Sequence, residues 1–360
     1  MARDFEPQWL PTMIGSVPHI RAEDAWNLVL TYFPDIPAWP QLPRRSYLEN
    51  MYVQFSERFP GIVLEKERIY VNRERDLDAA LERLYVAYLE GDLSYGTISP
   101  DYAAGLAMLL EDQVPFMQPP VALKGQITGP ITWGLTVTDQ NRRPILYNEI
   151  LAEAITHHLY LKAAWQDQQL RTFVSHGAET LPTIIFVDEP YMSTFGSAFV
   201  AISREQVVDM LEEVFEGITG LKGVHCCGNT DWSILLSTSV DILSIDAYAY
   251  AESLALYPAE VQAFLERGGI IAWGIVPANE QAATETVESL VGRLDSAIDL
   301  LVEKGVSRDL LLQAGLVTPS DGTGTLSEEL SDRVFYLTAG VSFAMRERYV
   351  DSKWEEQEEA

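Results

Sequence analysis

His225 and Cys227 offer an imidazole and a thiol at a spacing that suits a metal ion. Side chains two residues apart on a β-strand point to the same face, so these two would converge while Cys226 faces the other way. A cation such as Zn²⁺ favours N and S ligands, and catalytic zinc sites use about three protein ligands plus one open position. An isolated His-x-Cys pair also fits a buried, inert arrangement, so the metal hypothesis needs further ligands.

Carboxylates that follow other short apolar runs are candidates for those ligands. Asp246 comes directly after one run, and Asp321 follows another. Asp188 and Glu189 end a third run and precede Pro190. Acids often end strands without any function, but a carboxylate pair in a binding site would hold an ammonium group or another metal. We favour ammonium recognition for this pair.

Short β-rich runs alternate along the chain with longer amphipathic segments. The predicted strands are Thr12–Ser16, Leu93–Ile98, Ala122–Ile127, Thr183–Val187, Val224–Cys227, Ile242–Ile245, Gly269–Val276 and Leu310–Leu316. Helix start signals lie between them, such as a capping box at Ser203–Gln206 and Ser327 before a segment that runs to about Arg348. The pattern predicts an α/β protein with a (β/α)₈ TIM barrel, whose polar strand ends meet at one mouth. A doubly wound parallel sheet is the alternative.

Residues 35–72 form an insertion after the first βα unit. This segment is rich in proline and aromatic residues, contains Arg44 and Arg45, and ends in Gly61–Asn72, which has the pattern of a small hairpin. We predict a lid-like excursion over one barrel mouth; a surface loop that only packs is the alternative. Because no linker divides the chain, residues 1–360 are predicted to form a single TIM-barrel domain with an acidic tail at 351–360.

The charge balance excludes several classes of partner. Asp and Glu number 53 against 25 Lys and Arg, a formal net charge of -28. Such a surface repels nucleic acid and anionic lipid. No apolar run approaches the roughly 18 residues that a membrane-spanning helix requires, so we expect a cytoplasmic protein. The two cysteines are adjacent, which suits no ordinary structural disulfide.

Taken together, the strand-end motifs resemble the catalytic barrel of cobalamin-independent methionine synthase, in the uroporphyrinogen decarboxylase-like superfamily. The residues that carry the resemblance are Ile14-Gly15-Ser16, Gly129-Pro130-Ile131-Thr132, Val187-Asp188-Glu189-Pro190, His225-x-Cys227-Gly228 and Thr318–Gly322. They occur in the family's order, from about residue 11 to 348. The resemblance implies a core-type, single-barrel enzyme with a zinc ion that holds the thiol of homocysteine.

The resemblance also implies roles for single residues. His225 and Cys227 match zinc ligands, and Asp246 takes the place of the family's glutamate ligand. Asp321 stands where the family has its last cysteine ligand. A carboxylate can bind zinc, but the harder oxygen would change affinity and reactivity, and an altered or lost metal site stays open.

Four further residues match the family's homocysteine-binding segments. Asp188 and Glu189 match the motif that contacts the amino group, while Ile14 and Ser16 match the segment at the carboxylate end. The predicted seventh strand lacks the histidine that donates a proton to a leaving folate. This absence favours a methylcorrinoid donor, either methylcobalamin or a corrinoid protein, over methyltetrahydrofolate.

The predicted function is therefore zinc-dependent methyl transfer to homocysteine, which forms methionine. Three alternatives stay open: methylation of another thiol such as coenzyme M, a uroporphyrinogen decarboxylase-like reaction, and a degenerate barrel without catalysis. The decarboxylase would need several arginines at the mouth, where only Arg44 and Arg45 are nearby candidates. The change to Asp321 is what motivates the non-catalytic alternative.

Overall fold

The computed structural model describes residues 5–66, 68–174, 181–197 and 200–351, so residues 352–360 of the expected acidic tail lie outside the described ranges. The strands are β1 (Ile62–Glu65), β2 (Arg68–Val71), β3 (Leu123–Thr128), β4 (Thr138–Asp139), β5 (Thr183–Asp188), β6 (Leu221–Cys226), β7 (Ile242–Ile245), β8 (Ile270–Val276) and β9 (Gly315–Pro319). The α-helices are α1 (Ala22–Tyr32), α2 (Asp78–Glu90), α3 (Ala104–Leu110), α4 (Pro130–Thr136), α5 (Glu149–Val174), α6 (Arg204–Glu216), α7 (Trp232–Leu236), α8 (Ala247–Leu254), α9 (Pro258–Glu266), α10 (Val287–Glu303), α11 (Arg308–Gln313) and α12 (Glu328–Arg346). Within the described ranges, no helix combines the length and the apolar character needed to cross a membrane.

A curled parallel sheet in the order β3-β5-β6-β7-β8-β9 forms the centre of the molecule and confirms the predicted α/β TIM-barrel class. Its strands are almost wholly buried because helices cover the outer face. Alternate residues such as Ile184, Phe186, Ile270 and Ala272 form a separate apolar cluster. Since side chains alternate between the two faces of a strand, this cluster marks the inner face of the barrel.

Two extended segments that are not regular strands close the barrel. Residues 9–17 run beside β9, where Thr12 N donates to Val317 O at 3.0 Å and Val317 N to Leu10 O at 3.1 Å. Residues 37–41 run beside β3, with Ala38 paired in parallel to Lys124. The two segments also pair with each other, because Gln41 N donates to the carbonyl of Gly15. The predicted first strand, Thr12–Ser16, therefore forms part of the barrel wall.

The side chain of Gln166, on α5, completes the wall between residues 37–41 and β3. Pro37 and Pro40 lack an N–H, so this segment cannot form a continuous ladder. Gln166 Oε1 accepts from Trp39 Nε1 at 2.7 Å and from Gln126 N at 3.0 Å, and its Nε2 donates to Gln126 O at 3.1 Å. One amide side chain thus satisfies backbone groups that a neighbouring strand would otherwise satisfy.

Two predicted strands are wrong in whole or in part. Leu93–Gly96 is a 3-10 helix, because Asp92 accepts a hydrogen bond from Ser94 N and caps its start. Residues 37–41 occupy the place expected for this second strand. The predicted strand Leu310–Leu316 begins inside α11, which Ser307 caps, and only its last two residues belong to β9.

Other local predictions are confirmed. The capping box at Ser203 and Gln206 starts α6, and Ser327 caps α12. The hairpin predicted within Gly61–Asn72 is the antiparallel pair β1 and β2. Short-range hydrogen bonding determines each of these features, which is why the local sequence predicts them.

Replacing Gln166 with alanine tests the closure of the barrel. We expect Gln166→Ala to lower the free energy of unfolding by roughly 2–4 kcal/mol, since it leaves buried donors and an acceptor without partners. Gln168→Ala, an exposed residue on the same helix, is the matched control, and we expect its effect to stay within about 0.5 kcal/mol. Urea unfolding followed by circular dichroism measures both, and equal unfolding midpoints for the two variants would contradict the proposed closure.

Candidate functional site

A cavity of about 320 Å³ lies at the carboxyl ends of the barrel strands. The strand ends and the loops after them supply Ile14, Ser16, Asp188, Pro190, His225, Cys227, Asp321, Gly322, Gly324 and Thr325. Gln41 comes from the wall segment 37–41, and Pro43, Glu49, Asn50, Met51 and Tyr52 come from the residues that follow it within the predicted insertion. The end of the barrel that carries these residues is where TIM-barrel enzymes carry their active sites. Part of the predicted insertion therefore lines the cavity at this mouth.

His225, Cys227 and Asp321 come together in this cavity. One potential ligand atom of each lies within 4.8 Å of the others. His225 Nε2 and Asp321 Oδ1 are 3.9 Å apart. His225 belongs to β6 and Cys227 follows its end, so the alternation of side chains gives them the same face, as the sequence predicts.

The imidazole of His225 is held in a form suited to a metal. Its Nδ1 lies 2.9 Å from the Oγ of Ser244, the residue of β7 that pairs with His225. Its buried Nε2 has no hydrogen-bond partner among the described residues. Burial, and then the charge of Lys124, lowers the pKa of His225 to about 3, so the ring is neutral. A neutral imidazole with one nitrogen fixed by a hydrogen bond presents its other lone pair to a metal.

The loop after β9 carries Asp321 and is fastened to Ser16. Thr323 N donates to Ser16 O at 2.8 Å, and Gly324 N donates to Ser16 Oγ at 3.3 Å. A Cβ at Gly322 would lie 2.2 Å from Ser16 Oγ, so only glycine permits this approach. Ser16 thus positions the loop as well as lining the cavity, and the Asp321 side chain stays 57% exposed.

Asp246 is not a member of the group formed by His225, Cys227 and Asp321 within the described residues. Its Oδ1 accepts from Ala249 N at 2.9 Å and caps α8. Burial raises the pKa of Asp246 to about 6, and the charge of Asp321 adds to the rise. The structure therefore places Asp246 near the mouth with its carboxylate directed to a helix N-terminus.

Asp188 lines the cavity and has an unpartnered oxygen. Its buried Oδ1 has no hydrogen-bond partner among the described residues. Lys124, beneath the mouth, donates from Nζ to Ile14 O at 2.6 Å. Burial raises the pKa of Asp188 and lowers that of Lys124, while their opposite charges counteract both shifts. A cationic group in the cavity would therefore find an acceptor at Asp188.

Glu189 faces the start of α4 and does not line the cavity. Its carboxylate accepts from Ile131 N at 2.9 Å, from Thr132 N at 2.7 Å and from Thr132 Oγ at 2.6 Å. A Cβ at Gly129 would lie 2.2 Å from Glu189 Oε1, which explains the glycine there. Burial raises the pKa of Glu189 to about 7 although these hydrogen bonds lower it. The position of Glu189 supports a role in holding the loop after β3.

Among the described residues that line the cavity, three carry carboxylates, Glu49, Asp188 and Asp321, and none is lysine or arginine. Burial raises the pKa of the Cys227 thiol above its ordinary value, and the charge of Asp321 and the neighbouring Cys226 raise it further. Negative groups that raise one another's pKa in this way bind a cation favourably. The donor set and its charge therefore fit a zinc ion.

Sequence reasoning missed Lys124 and Tyr52. The signal for Lys124, which is 1% exposed, is a lysine within a segment predicted to be a buried barrel strand. Tyr52 carries no such signal because it belongs to an irregular part of the insertion. Its place in the cavity wall follows from tertiary contacts alone.

Solved structures with a similar fold include methyltransferases. A B12-independent methionine synthase from Shewanella sp. W3-18-1, in complex with selenomethionine, aligns with a TM-score of 0.54 at 16% identity, over 94% of this chain and 98% of that chain. A methyltransferase from Methanosarcina mazei aligns with a TM-score of 0.55 at 12% identity, over 95% of each chain. No protein-family model and no curated protein matches the sequence. At these identities, the likeness shows a shared fold.

The raised pKa of Glu189 predicts a pH dependence of stability. The folded protein keeps the Glu189 proton up to about pH 7, whereas the unfolded chain loses it near the ordinary value of 4.5. Between these values the folded state binds more protons, so stability falls as the pH rises. We expect Glu189→Gln to make the decrease in the free energy of unfolding, from pH 4.5 to 7.5, smaller by roughly 2–3 kcal/mol. Urea unfolding of both proteins from pH 4.5 to 7.5 measures the slopes, and identical slopes would exclude Glu189 as their source.

Proposed function

We propose that this chain is a methyltransferase that transfers a methyl group to the thiol of homocysteine at a zinc ion held by His225, Cys227 and Asp321. The observation that carries the proposal is the convergence of these three ligands in a cavity at the mouth of a TIM barrel. Barrels of similar fold include a methionine synthase and a methyltransferase, which supports the same reaction class.

The three residues fit zinc in number and type. They supply one nitrogen, one sulfur and one oxygen ligand, which leaves a fourth position for the substrate thiol. A zinc ion bound there would supply the Lewis acidity that lowers a thiol pKa from about 8.5 and yields the nucleophilic thiolate. Ser244 orients His225, and Ser16 holds the loop that carries Asp321.

Asp188 is the proposed partner of the substrate's ammonium group. It is the buried carboxylate whose Oδ1 lacks a partner among the described residues and which also lines the cavity. Ile14 and Ser16 line the same cavity and are proposed to border the carboxylate end of homocysteine. We propose that Glu189 acts indirectly, because its three hydrogen bonds hold the residues after β3 rather than a ligand.

The charge of the cavity disfavours anionic substrates. A tetrapyrrole with many carboxylates needs cationic side chains, but no lysine or arginine in the described part of the chain lines the cavity. Arg44 donates to Thr325 O at 2.8 Å, and Arg45 pairs with Glu49 at 2.7 Å, so both nearby arginines already have partners. The same argument disfavours a sulfonated thiol relative to homocysteine, which brings an ammonium group.

A methylcorrinoid is the proposed methyl donor. Proton donation to a leaving folate needs an acid, whereas β8, the seventh position of the barrel, carries none. Its tryptophan, Trp273, is buried within the main hydrophobic core. A methylcorrinoid releases its methyl group without a proton, so a barrel mouth that lacks this acid suits it.

The two adjacent cysteines provide a matched test of the metal site. We expect Cys227→Ser to weaken zinc binding roughly 100-fold or more, since even outer-shell changes cost 10–100-fold. Cys226 is buried and donates to Gly228 O, so Cys226→Ser should keep one zinc per chain. Metal analysis after removal and reloading of zinc measures both variants. A wild-type protein without stoichiometric zinc, or equal binding by both variants, would refute the site.

Product formation tests the reaction and the role of Asp321. We expect the zinc-loaded protein to form methionine from L-homocysteine and methylcobalamin, but not from methyltetrahydrofolate. Asp321→Ala should reduce kcat/KM by roughly 100-fold, because it removes a metal ligand. Asp299→Ala, which alters an exposed acid paired with Arg308, is the control and should leave the rate unchanged. Methionine formation by Asp321→Cys alone would instead favour a non-catalytic barrel.

A further inference from the structure

The insertion contributes an aromatic side chain to the cavity. Tyr52 lies in the wall that faces the strand ends, beside Met51 and Asn50. None of the motifs that resemble methionine synthase includes these residues. The barrel motifs and the insertion thus form different walls of one cavity.

The backbone of Tyr52 is fixed to the barrel. Trp133 Nε1, on α4, donates to Tyr52 O at 2.8 Å, and Thr128 Oγ1, at the end of β3, donates to Met51 O at 2.5 Å. Asn50 Oδ1 accepts from Tyr52 N at 3.1 Å. Since Trp133 is fully buried, this attachment holds the backbone of Tyr52 at a set position relative to the strand ends.

Tyr52 lines the same cavity as Cys227 and Asp321, two of the proposed metal ligands. Its ring therefore offers an apolar surface to a ligand bound in this cavity.

We infer that Tyr52 is a substrate-binding residue that determines which thiols the cavity accepts. The inference rests on the proposed function. A thiol bound beside Cys227 and Asp321, with its ammonium group at Asp188, must pass its carbon chain between these residues. Tyr52 lines the same space from the insertion and contacts that chain. The carbon chain of the thiol has two methylenes in homocysteine and one in cysteine. Its length then determines how much of the Tyr52 ring it covers.

Calorimetric titration of the zinc-loaded protein with L-homocysteine and L-cysteine tests this inference. The two amino acids share the ammonium, carboxylate and thiol groups and differ by one methylene, a difference that a well-fitted pocket converts into about 10–200-fold. Tyr52→Leu should weaken homocysteine binding about tenfold and cysteine binding less, so that the preference for homocysteine falls. Tyr52→Phe keeps the ring and should stay within about threefold of wild type for both ligands.

Tyr102→Leu provides the control for a merely structural effect. Tyr102 O accepts from Gln54 of the insertion, but Tyr102 does not line the cavity. We expect this variant to keep the wild-type preference between the two thiols, with an unchanged zinc content. If Tyr52→Leu keeps the wild-type preference, or loses it only as much as Tyr102→Leu does, the inference is wrong.

Two further outcomes separate the inference from the proposed function. If Tyr52→Leu does not fold, Tyr52→Trp replaces it, because the larger ring narrows the cavity and must weaken homocysteine more than cysteine. An unchanged preference in Tyr52→Trp then overturns the inference. If the wild-type protein binds zinc but not homocysteine, the proposed substrate is wrong and the role of Tyr52 falls with it.

Discussion

Acidic groups at the mouth of the barrel, with a buried lysine beneath them, determine the charge of the site. Asp188, Cys227 and Asp321 lie at one cavity, and no lysine or arginine of the described residues lines it. Lys124 contributes its charge from below. The layer under the mouth is apolar and cannot solvate the buried Asp188, whereas Asp321 is largely exposed to solvent. In such surroundings, like charges strongly disfavour one another's ionised forms. A cation that enters from solvent would offset these charges.

Much of this architecture follows from local rules that the sequence expresses directly. The period of a β-strand places His225 and Cys227 on one face, and the rule that TIM-barrel sites lie at the carboxyl ends of strands brings Asp188 and Asp321 to the same cavity. Capping residues such as Ser203 and Ser327 mark helix starts through hydrogen bonds to nearby residues. The strand and capping rules need only neighbouring residues, and the barrel rule needs only the order of strands and helices along the chain.

The features that the sequence did not predict depend on contacts between distant residues. Residues 37–41 hold the place of a strand although two prolines interrupt them, because Gln166, 127 residues after Trp39, supplies the missing hydrogen bonds. Glu189 resembles a substrate ligand in its motif, yet the start of α4 lies close enough to bind its carboxylate. Trp133, 81 residues after Tyr52, helps to fix the backbone of Tyr52 at the cavity. These hydrogen bonds depend on which distant groups the complete fold brings together.

The closure by Gln166 has a consequence for how this barrel can evolve. The wall at β3 is completed by backbone hydrogen bonds of residues 37–41 and by a side chain on α5, and none of these bonds involves residues 43–52. Substitutions in that stretch, which contributes to the cavity wall, can change the cavity while these hydrogen bonds of the barrel remain. Loops that diverge on a constant scaffold are how one fold acquires many specificities. Selection can therefore act on the recognition of new molecules separately from the groups that carry out the chemistry.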